Sequence, residues 1–313
     1  PVAELVTVIL TTSPSPAQPG TELVEQVLRS MMTLAPALAR SRLIIVCDGV
    51  KAATGDKVQW RSAKVDEAAR CNYEEYKARL RAAAAEAADS SAGSWMPPRS
   101  ELLELGANHG FGFAVRAALE LVDTPLVCVI QHDRTFMRHV DVEPIVRSML
   151  EHQGRVGYVL MHTKSTGKYV VCQSSRLREK GVKAEDCDIE RLALPLPGEG
   201  RRLLPCLTWY DSTHLCLTSY YRDFVLNPAE GVVKKGGFIE GEMGQLQFPE
   251  FCSRGPALAL ERWRTYLYDD GSDDPMVGHL DGKRFKSLDT LRQIYGDRAT
   301  GRKGRPEGWT DAP

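Results

Sequence analysis

No apolar run in these 313 residues approaches the roughly 20 that a membrane-spanning helix needs. Membrane association would have to come through a segment outside this sequence, and the start at Pro1 without Met leaves room for one. An excess of charge of one sign is missing as well. A formal net charge of −1 excludes a general polyanion binder, so no nucleic-acid partner is expected. None of the eight cysteines forms a CxxC pair, which argues against a structural zinc site. No N-x-S/T sequon occurs, and Cys47 and Cys128 sit inside apolar runs as small core residues. These absences favour a reducing, cytoplasmic setting. The alternative is a Golgi-lumen protein whose N-terminal anchor has been removed, with one or two disulfides.

What is present is an ordinary composition, 43% hydrophobic and 26% charged, long enough for one large domain or two small ones. Residues 4–10, "ELVTVIL", predict a first strand. The "TTSPSPAQPG" after it is irregular, and Thr21 then caps a helix with Val24, Val27, Leu28 and Met31 at helical spacing. "RLIIVCDGV" predicts a second strand ending at Asp48. Val65, Ala69, Tyr73, Tyr76, Leu80, Ala84 and Ala87 recur every three or four positions and predict a long helix over 64–88. "ELLELG", "PLVCVIQHD" and "RVGYVLMHT" predict three more strands, with a Gly-opened helix before the second of them and a helix over 143–152 before the third. Continuous apolar strands alternating with helices predict an α/β fold around a doubly wound, mostly parallel sheet. Its strand C-termini would share one edge. The second half is less regular. Residues 164–205 read as a long charged excursion, and 206–226 as a strand running into a helix. Tyr210, Asp211, Ser212, Thr213 and His214 fall in that strand's middle, one face toward a cleft or on a half-exposed edge. Residues 234–247 read as a loop entering a helix, 264–285 as a strand and a polar loop, and the tail from about 297 as mobile.

Three strand ends carry polar groups: Thr11, Thr12, Ser13 and Pro14 after the first, Asp48 after the second, and Gln131, His132 and Asp133 after the fourth. In a doubly wound sheet these meet in one crevice, where ligands bind. A carboxylate there can hold Mg²⁺ or Mn²⁺, which takes one or two carboxylates and completes its shell with substrate phosphates and water. The cation would neutralise a departing diphosphate. Asn108, His109 and Gly110 open a helix whose free N–H groups could face phosphate, although capping by Asn108 is the plainer reading.

These segments resemble the GT-A glycosyltransferases, in particular the family-two-like group that uses nucleotide-diphosphate sugars. "TVILTTSP" resembles the opening strand and its nucleoside-holding loop. "IIVCDG" is similar to the strand whose aspartate bonds the base. "GANHGFGFAVRAALELVDTPLVCVIQHD" resembles the Asn-Gly segment, helix and strand that lead to the Asp-x-Asp metal motif. "GGFIEGEM" is similar to the Gly-Gly-Phe loop before the catalytic acidic residue, and "VGHLDG" resembles the C-terminal histidine that completes the metal site. One position departs: Gln131 stands where the motif has its first aspartate.

The resemblance implies a GT-A catalytic domain over 1–255, its nucleotide-sugar half reaching about 162 and its acceptor half 163–255. A C-terminal extension, 256–313, would pack on the site. It implies Mn²⁺ or Mg²⁺ at Asp133 and His279, and nucleotide contacts from residues 11–14, Asp48, Asn108, His109, Gln131 and His132. Tyr210, Asp211, Gly237 and Arg284 would touch the donor or acceptor. Glu240 and Glu242 compete as the base that takes a proton from the acceptor hydroxyl. Glu240 is favoured because it follows the apolar pair Phe238-Ile239, whereas Glu242 suits the start of a helix. Trp95, Trp209 and Trp263 are candidates for stacking on a sugar, with core packing as the default. The implied activity moves a sugar, with inversion, from a nucleotide-diphosphate donor (UDP-sugar favoured) to a glycan, protein or small-molecule acceptor. The alternative is a catalytically inactive GT-A domain that binds carbohydrate or a partner. A sugar-nucleotide synthesising enzyme fits less well, because no Gly-rich, Lys-bearing phosphate loop follows the first strand.

Overall fold

A computed structural model of the chain describes residues 1–53, 58–89, 94–234 and 236–280. Among them nine strands form one sheet. Its first half holds Val6–Thr12 (β1), Arg42–Cys47 (β2), Ser100–Glu104 (β3) and Leu126–Gln131 (β4), all parallel, in the order β3-β2-β1-β4. Leu10 of β1 pairs with Ile45 on one side and Ile130 on the other. All of β1 is buried, as are β2 and β4 except at one end of each. Burial on both faces is why these strands read as unbroken apolar runs.

The second half is mixed. Arg134–Phe136 (β5) leaves the sheet after β4. Tyr158–Leu160 (β6), Leu194–Pro195 (β7), Arg202–Pro205 (β8), His214–Leu217 (β9) and Thr265–Asp269 (β10) extend the sheet as β4-β9-β6-β10-β8-β7. β9 runs antiparallel to both β4 and β6, while β10 runs parallel to β6. Val277–His279 (β11) pairs antiparallel with β5 as a separate two-stranded ribbon. The α/β class and the mostly parallel sheet expected from the sequence are what the chain adopts. The division expected at residue 255 cuts between two packed helices, and β10 beyond it lies inside the sheet.

The helices used below are Glu22–Leu34 (α1), Glu67–Asp89 (α2), Phe111–Leu119 (α3), Glu143–Glu151 (α4), Tyr169–Glu179 (α5), Ile239–Arg254 (α6) and Pro256–Trp263 (α7). α2 buries Ala69, Tyr73, Tyr76, Leu80 and Ala87, five of the seven positions the periodicity marks, and packs on β3; Ala84 is half-buried and Val65 precedes the helix. It starts later than predicted. Lys64–Val65 pairs with Lys51–Ala52, and the Asp66 carboxylate then accepts the Ala69 N–H at 2.8 Å, a cap three residues into the helix. Val2–Leu5 forms a helical turn, so β1 begins at Val6. Thr21 precedes α1 without a side-chain cap bond.

The excursion expected over 164–205 contains α5 and β8. α5 buries Tyr169, Gln173, Ser174 and Leu177, only two of them apolar, so its periodic signal is weak. The polar run beginning at Tyr210 does not lie mid-strand: β9 starts at His214, and the four residues before it form a loop. Nor is β9 an edge strand, since β4 and β6 flank it. Trp209 and Trp263 are 1% and 0% exposed and belong to the core, and Trp95 packs against it. All eight cysteines are free. No helix among the described residues is long and apolar enough to cross a membrane. The expected mobile tail lies outside the described residues.

Candidate active site

The C-terminal ends of β1, β2 and β4 open into one cavity of about 720 Å³. Thr11, Thr12, Ser13 and Pro14 line it, as do Asp48, Asn108 and His109. Gln131, His132, Asp133, Asp211, Gly237, Glu240 and His279 complete the expected set that the fold brings together. Two expected residues are not in this lining. Tyr210 offers its carbonyl to the Tyr158 hydroxyl at 2.7 Å, and the Glu242 carboxylate accepts the Lys234 N–H at 2.8 Å. Arg284 lies outside the described residues, as does Asp281.

Asp48 is buried at the tip of β2, and its carboxylate is occupied. One oxygen accepts the N–H of Gly49 at 2.9 Å and of His109 at 2.8 Å. The other accepts Asn108 Nδ2 at 2.8 Å and the N–H of Gly110 at 2.9 Å. A carboxylate has about four lone-pair sites, and these four donors engage both oxygens. Asp48 thus clamps the loop that starts α3 while lining the cavity. The ordinary-turn reading of "DG" falls short, because three of the four donors lie about 60 residues away in sequence.

The β1 and β4 ends are tied together from below. The His132 N–H donates to the Thr11 carbonyl at 3.0 Å, and His132 Nδ1 lies 2.8 Å from the Thr12 hydroxyl. That hydroxyl meets the Tyr76 hydroxyl of α2 at 3.0 Å, while Tyr73 donates to the Asp48 carbonyl at 2.8 Å. Burial pushes the His132 imidazole below its ordinary value, which favours the neutral ring.

Asp133 sits just past β4, and the β5/β11 ribbon brings His279 to it. Arg134 and His279 are cross-strand partners, and the Leu280 N–H donates to the Asp133 carbonyl at 2.8 Å. His279 Nε2 lies 3.0 Å from Asp133 Oδ2. Burial pushes the Asp133 carboxyl up, but the His279 hydrogen bond and the positive neighbours outweigh it and hold the group well below the usual carboxylate range. Asp133 Oδ1 is buried without a hydrogen-bond partner, in a side chain only 15% exposed. A buried, unpartnered carboxylate oxygen is costly unless something charged meets it. Oxygen and imidazole donors suit Mn²⁺, and the oxygen suits Mg²⁺. Among the described residues no group of three or more His, Cys, Asp or Glu could hold a metal, so a cation here would complete its shell from ligand and water.

Gln131 turns away from this pair. Its Nε2 donates to the Asp211 carbonyl at 2.8 Å, tying β4 to the loop before β9. Asp211 is buried, and its Oδ1 accepts Trp209 Nε1 at 3.0 Å. Its Oδ2 accepts the Glu240 N–H in the first turn of α6 at 3.2 Å, and Glu240 Oε2 in return accepts the Asp211 N–H at 3.2 Å. Burial first, and then the Glu240 carboxylate, push the Asp211 carboxyl up to about 8. Of the four carboxylates that line the cavity, these two stand in contrasting settings, Asp211 sealed against the core and Glu240 exposed.

The cavity also has walls that the sequence reading passed over. Lys51, Trp60 and Arg61, from the segment between β2 and α2, line it, and so do Arg134, Phe111 and Phe238. Trp60 sits in a stretch without periodicity. Phe111 and Phe238 flank motif glycines, where the sequence alone marks no exposed ring.

No family model and no curated protein matches the sequence. Solved structures do. The chain is similar to glucosyl-3-phosphoglycerate synthase from Mycobacterium tuberculosis, a structure in complex with Mn²⁺, UDP-glucose and phosphoglyceric acid, at 15% identity and a TM-score of 0.44, over 98% of this chain and 84% of that one. It is similar to the mannosyltransferase PcManGT from Pyrobaculum calidifontis, in complex with GDP-mannose and Mn²⁺, at 14% identity and a TM-score of 0.31, over 55% of this chain and 40% of that one. It is also similar to residues 1–349 of S. aureus TarS in complex with UDP-GlcNAc, at 14% identity and a TM-score of 0.30, over 51% and 34%. The matched region therefore spans well under half the length of the last two.

Proposed function

We propose that the chain is a glycosyltransferase that takes a sugar from a nucleotide-diphosphate donor, UDP-linked for preference, and places it on an acceptor hydroxyl. The observation that carries this reading is the buried, unpartnered Asp133 oxygen beside His279, in the same cavity as the exposed carboxylate of Glu240. The nucleoside would lie over residues 11–14, with Asn108 and His109 beside it and His132 fixing the loop beneath. Asp133 and His279 would hold Mn²⁺ or Mg²⁺, which when bound supplies positive charge for the departing diphosphate. Glu240 acts as the general base. The acceptor oxygen forms a bond to the anomeric carbon, and the bond from that carbon to the diphosphate oxygen breaks with its electron pair. The acceptor proton passes to the Glu240 carboxylate. Attack opposite the leaving group inverts the anomeric centre. Asp211 fixes the helix start that carries Glu240, and Gln131 fixes Asp211.

A second reading, a carbohydrate- or partner-binding domain without turnover, rests on Gln131, which stands in place of an acidic residue and is committed to the Asp211 carbonyl. Calorimetric titration of UDP with and without Mn²⁺, joined to a screen of sugar nucleotides for slow hydrolysis, separates the two. We expect Mn²⁺-dependent UDP binding and nucleotide release. In Asp133→Ala both fall by at least about tenfold, with circular dichroism unchanged. Glycan binding with no UDP affinity would favour the second reading.

A further inference from the structure

The geometry points to a sugar-ring subsite built on Phe238, backed by Phe111. This deepens the glycosyltransferase reading by locating a pyranose in the cavity, and it rests on a feature that reading does not use. Phe238 is 44% exposed, the one exposed phenylalanine among the described residues, and it lines the cavity. Phe111 lies behind it, ring centroids 5.8 Å apart and planes 25° from parallel. One face of Phe238 is thus held by a second ring, while much of the side chain remains open.

The pair is built by the backbone. Gly110 sits at φ 75°, a conformation that favours glycine. A Cβ on Gly110 would run into the Gly236 carbonyl, and one on Gly236 into the carbonyl of His109. The Gly112 N–H then donates to the Gly237 carbonyl at 3.0 Å. Side chains at these positions would hold the two segments apart. Their absence lets the chain just before α6 lie on the start of α3, and that fixes the ring of Phe238 over the ring of Phe111. The same clamp seats Glu240 two residues further on, so the exposed ring and the exposed carboxylate share one wall.

The axial C–H bonds of a pyranose form an apolar face that packs on an aromatic ring while the hydroxyls around its rim stay hydrogen-bonded to water or polar groups. A ring backed by a second ring keeps its orientation at little entropic cost. Trp209 and Trp263 are sealed in the core and Trp95 packs against it, while Trp60 lines the same cavity half-buried. The pyranose can come from two sources, the donor's transferred sugar or a carbohydrate acceptor, and both present this face.

The test uses the full chain and three variants: Phe238→Ala, Phe238→Leu and Phe238→Tyr. The probes are UDP and UDP-glucose with Mn²⁺ by calorimetry, and methyl α- and β-D-glucopyranoside by saturation-transfer NMR. We expect Phe238→Ala and Phe238→Leu to weaken at least one pyranose-bearing probe by about tenfold, with UDP unchanged and Phe238→Tyr close to the parent. A loss confined to UDP-glucose identifies the donor sugar; a loss confined to the methyl glycosides identifies the acceptor. Equal affinity of the parent and Phe238→Ala for every pyranose probe overturns the inference, as does a parent protein that binds none of them. Failure of UDP itself to bind would sink the glycosyltransferase reading and leave the glycoside arm to decide on the subsite.

Discussion

Asp211 and Glu240 each hold the other's backbone: Asp211 Oδ2 accepts the Glu240 N–H, and Glu240 Oε2 accepts the Asp211 N–H, both at 3.2 Å. The bonds join the loop before β9 to the first turn of α6 across 29 residues of chain. The first turn of a helix has N–H groups without intrahelical partners, and Asp211 satisfies one of them. The exchange also sets the direction of the Glu240 side chain at the cavity.

Glu240 and Glu242 are therefore separable by experiment. Glu240→Gln keeps the side chain's shape and an oxygen for the Asp211 N–H, and it removes the carboxylate that would take a proton. Turnover should fall by about 10²–10⁴-fold with nucleotide affinity unchanged. Glu242→Gln, whose carboxylate serves the Lys234 N–H outside the cavity lining, should turn over near the parent rate. Product-release assays on both, beside UDP calorimetry, check this. The reverse ranking would move the base to Glu242.

Asp48 gives a prediction about selectivity. Because its carboxylate is occupied by Gly49, Asn108, His109 and Gly110, Asp48→Ala should strand several donors and destabilise the fold by about 3 kcal/mol or more. The ratio of UDP to GDP affinity should not change if the carboxylate serves the loop alone. Urea unfolding and paired calorimetry measure the two effects. A stable variant with an altered UDP to GDP ratio would assign base recognition to Asp48.

The sheet's first half was legible because its strands are buried on both faces and leave unbroken apolar runs, as "LVCVIQ" does for β4. The convergence of residues 11–14, Asp48 and Gln131 to Asp133 followed from parallel topology alone. In the sequence only the resemblance of "VGHLDG" links His279 to Asp133; the β5/β11 ribbon that joins them pairs residues more than 140 positions apart, which periodicity does not encode. α5 was missed because tertiary packing selects Gln173 and Ser174 for burial where sequence reading looks for apolar residues. The occupancy of Asp48 was hidden for a related reason. A carboxylate that binds a ligand and one that binds a loop look the same until the loop's N–H groups are located. In the sequence Phe238 counts only as an apolar neighbour of Glu240, because the exposure of an aromatic is a property of the fold.

Asp211 gives the last prediction, in stability against pH. In the unfolded chain its carboxyl titrates at about pH 4, while in the folded chain burial and the Glu240 carboxylate push it up to about 8. Between those values the folded state binds the proton more tightly, so the Asp211 contribution is fully present below about pH 4 and is lost as pH rises toward 8. Asp211→Asn removes this dependence, although it sets an amide N–H against one of the two N–H donors that Asp211 accepts, at a cost of about 1–3 kcal/mol. Relative to the parent, the variant should therefore gain stability as pH rises from 5 to 8, by at most about 1.4 kcal/mol per pH unit. Glu240→Gln, which removes the neighbouring charge, should shift the parent's window to lower pH without abolishing it, because burial is the larger cause. Urea unfolding of the three proteins at closely spaced pH values measures both effects. Parallel profiles for the parent and Asp211→Asn would mean that Asp211 is ionised in the folded chain at neutral pH. Asp211 and Glu240 would then be two like charges joined through their backbones, and Asp211 would not serve as the neutral anchor of the helix that carries the base.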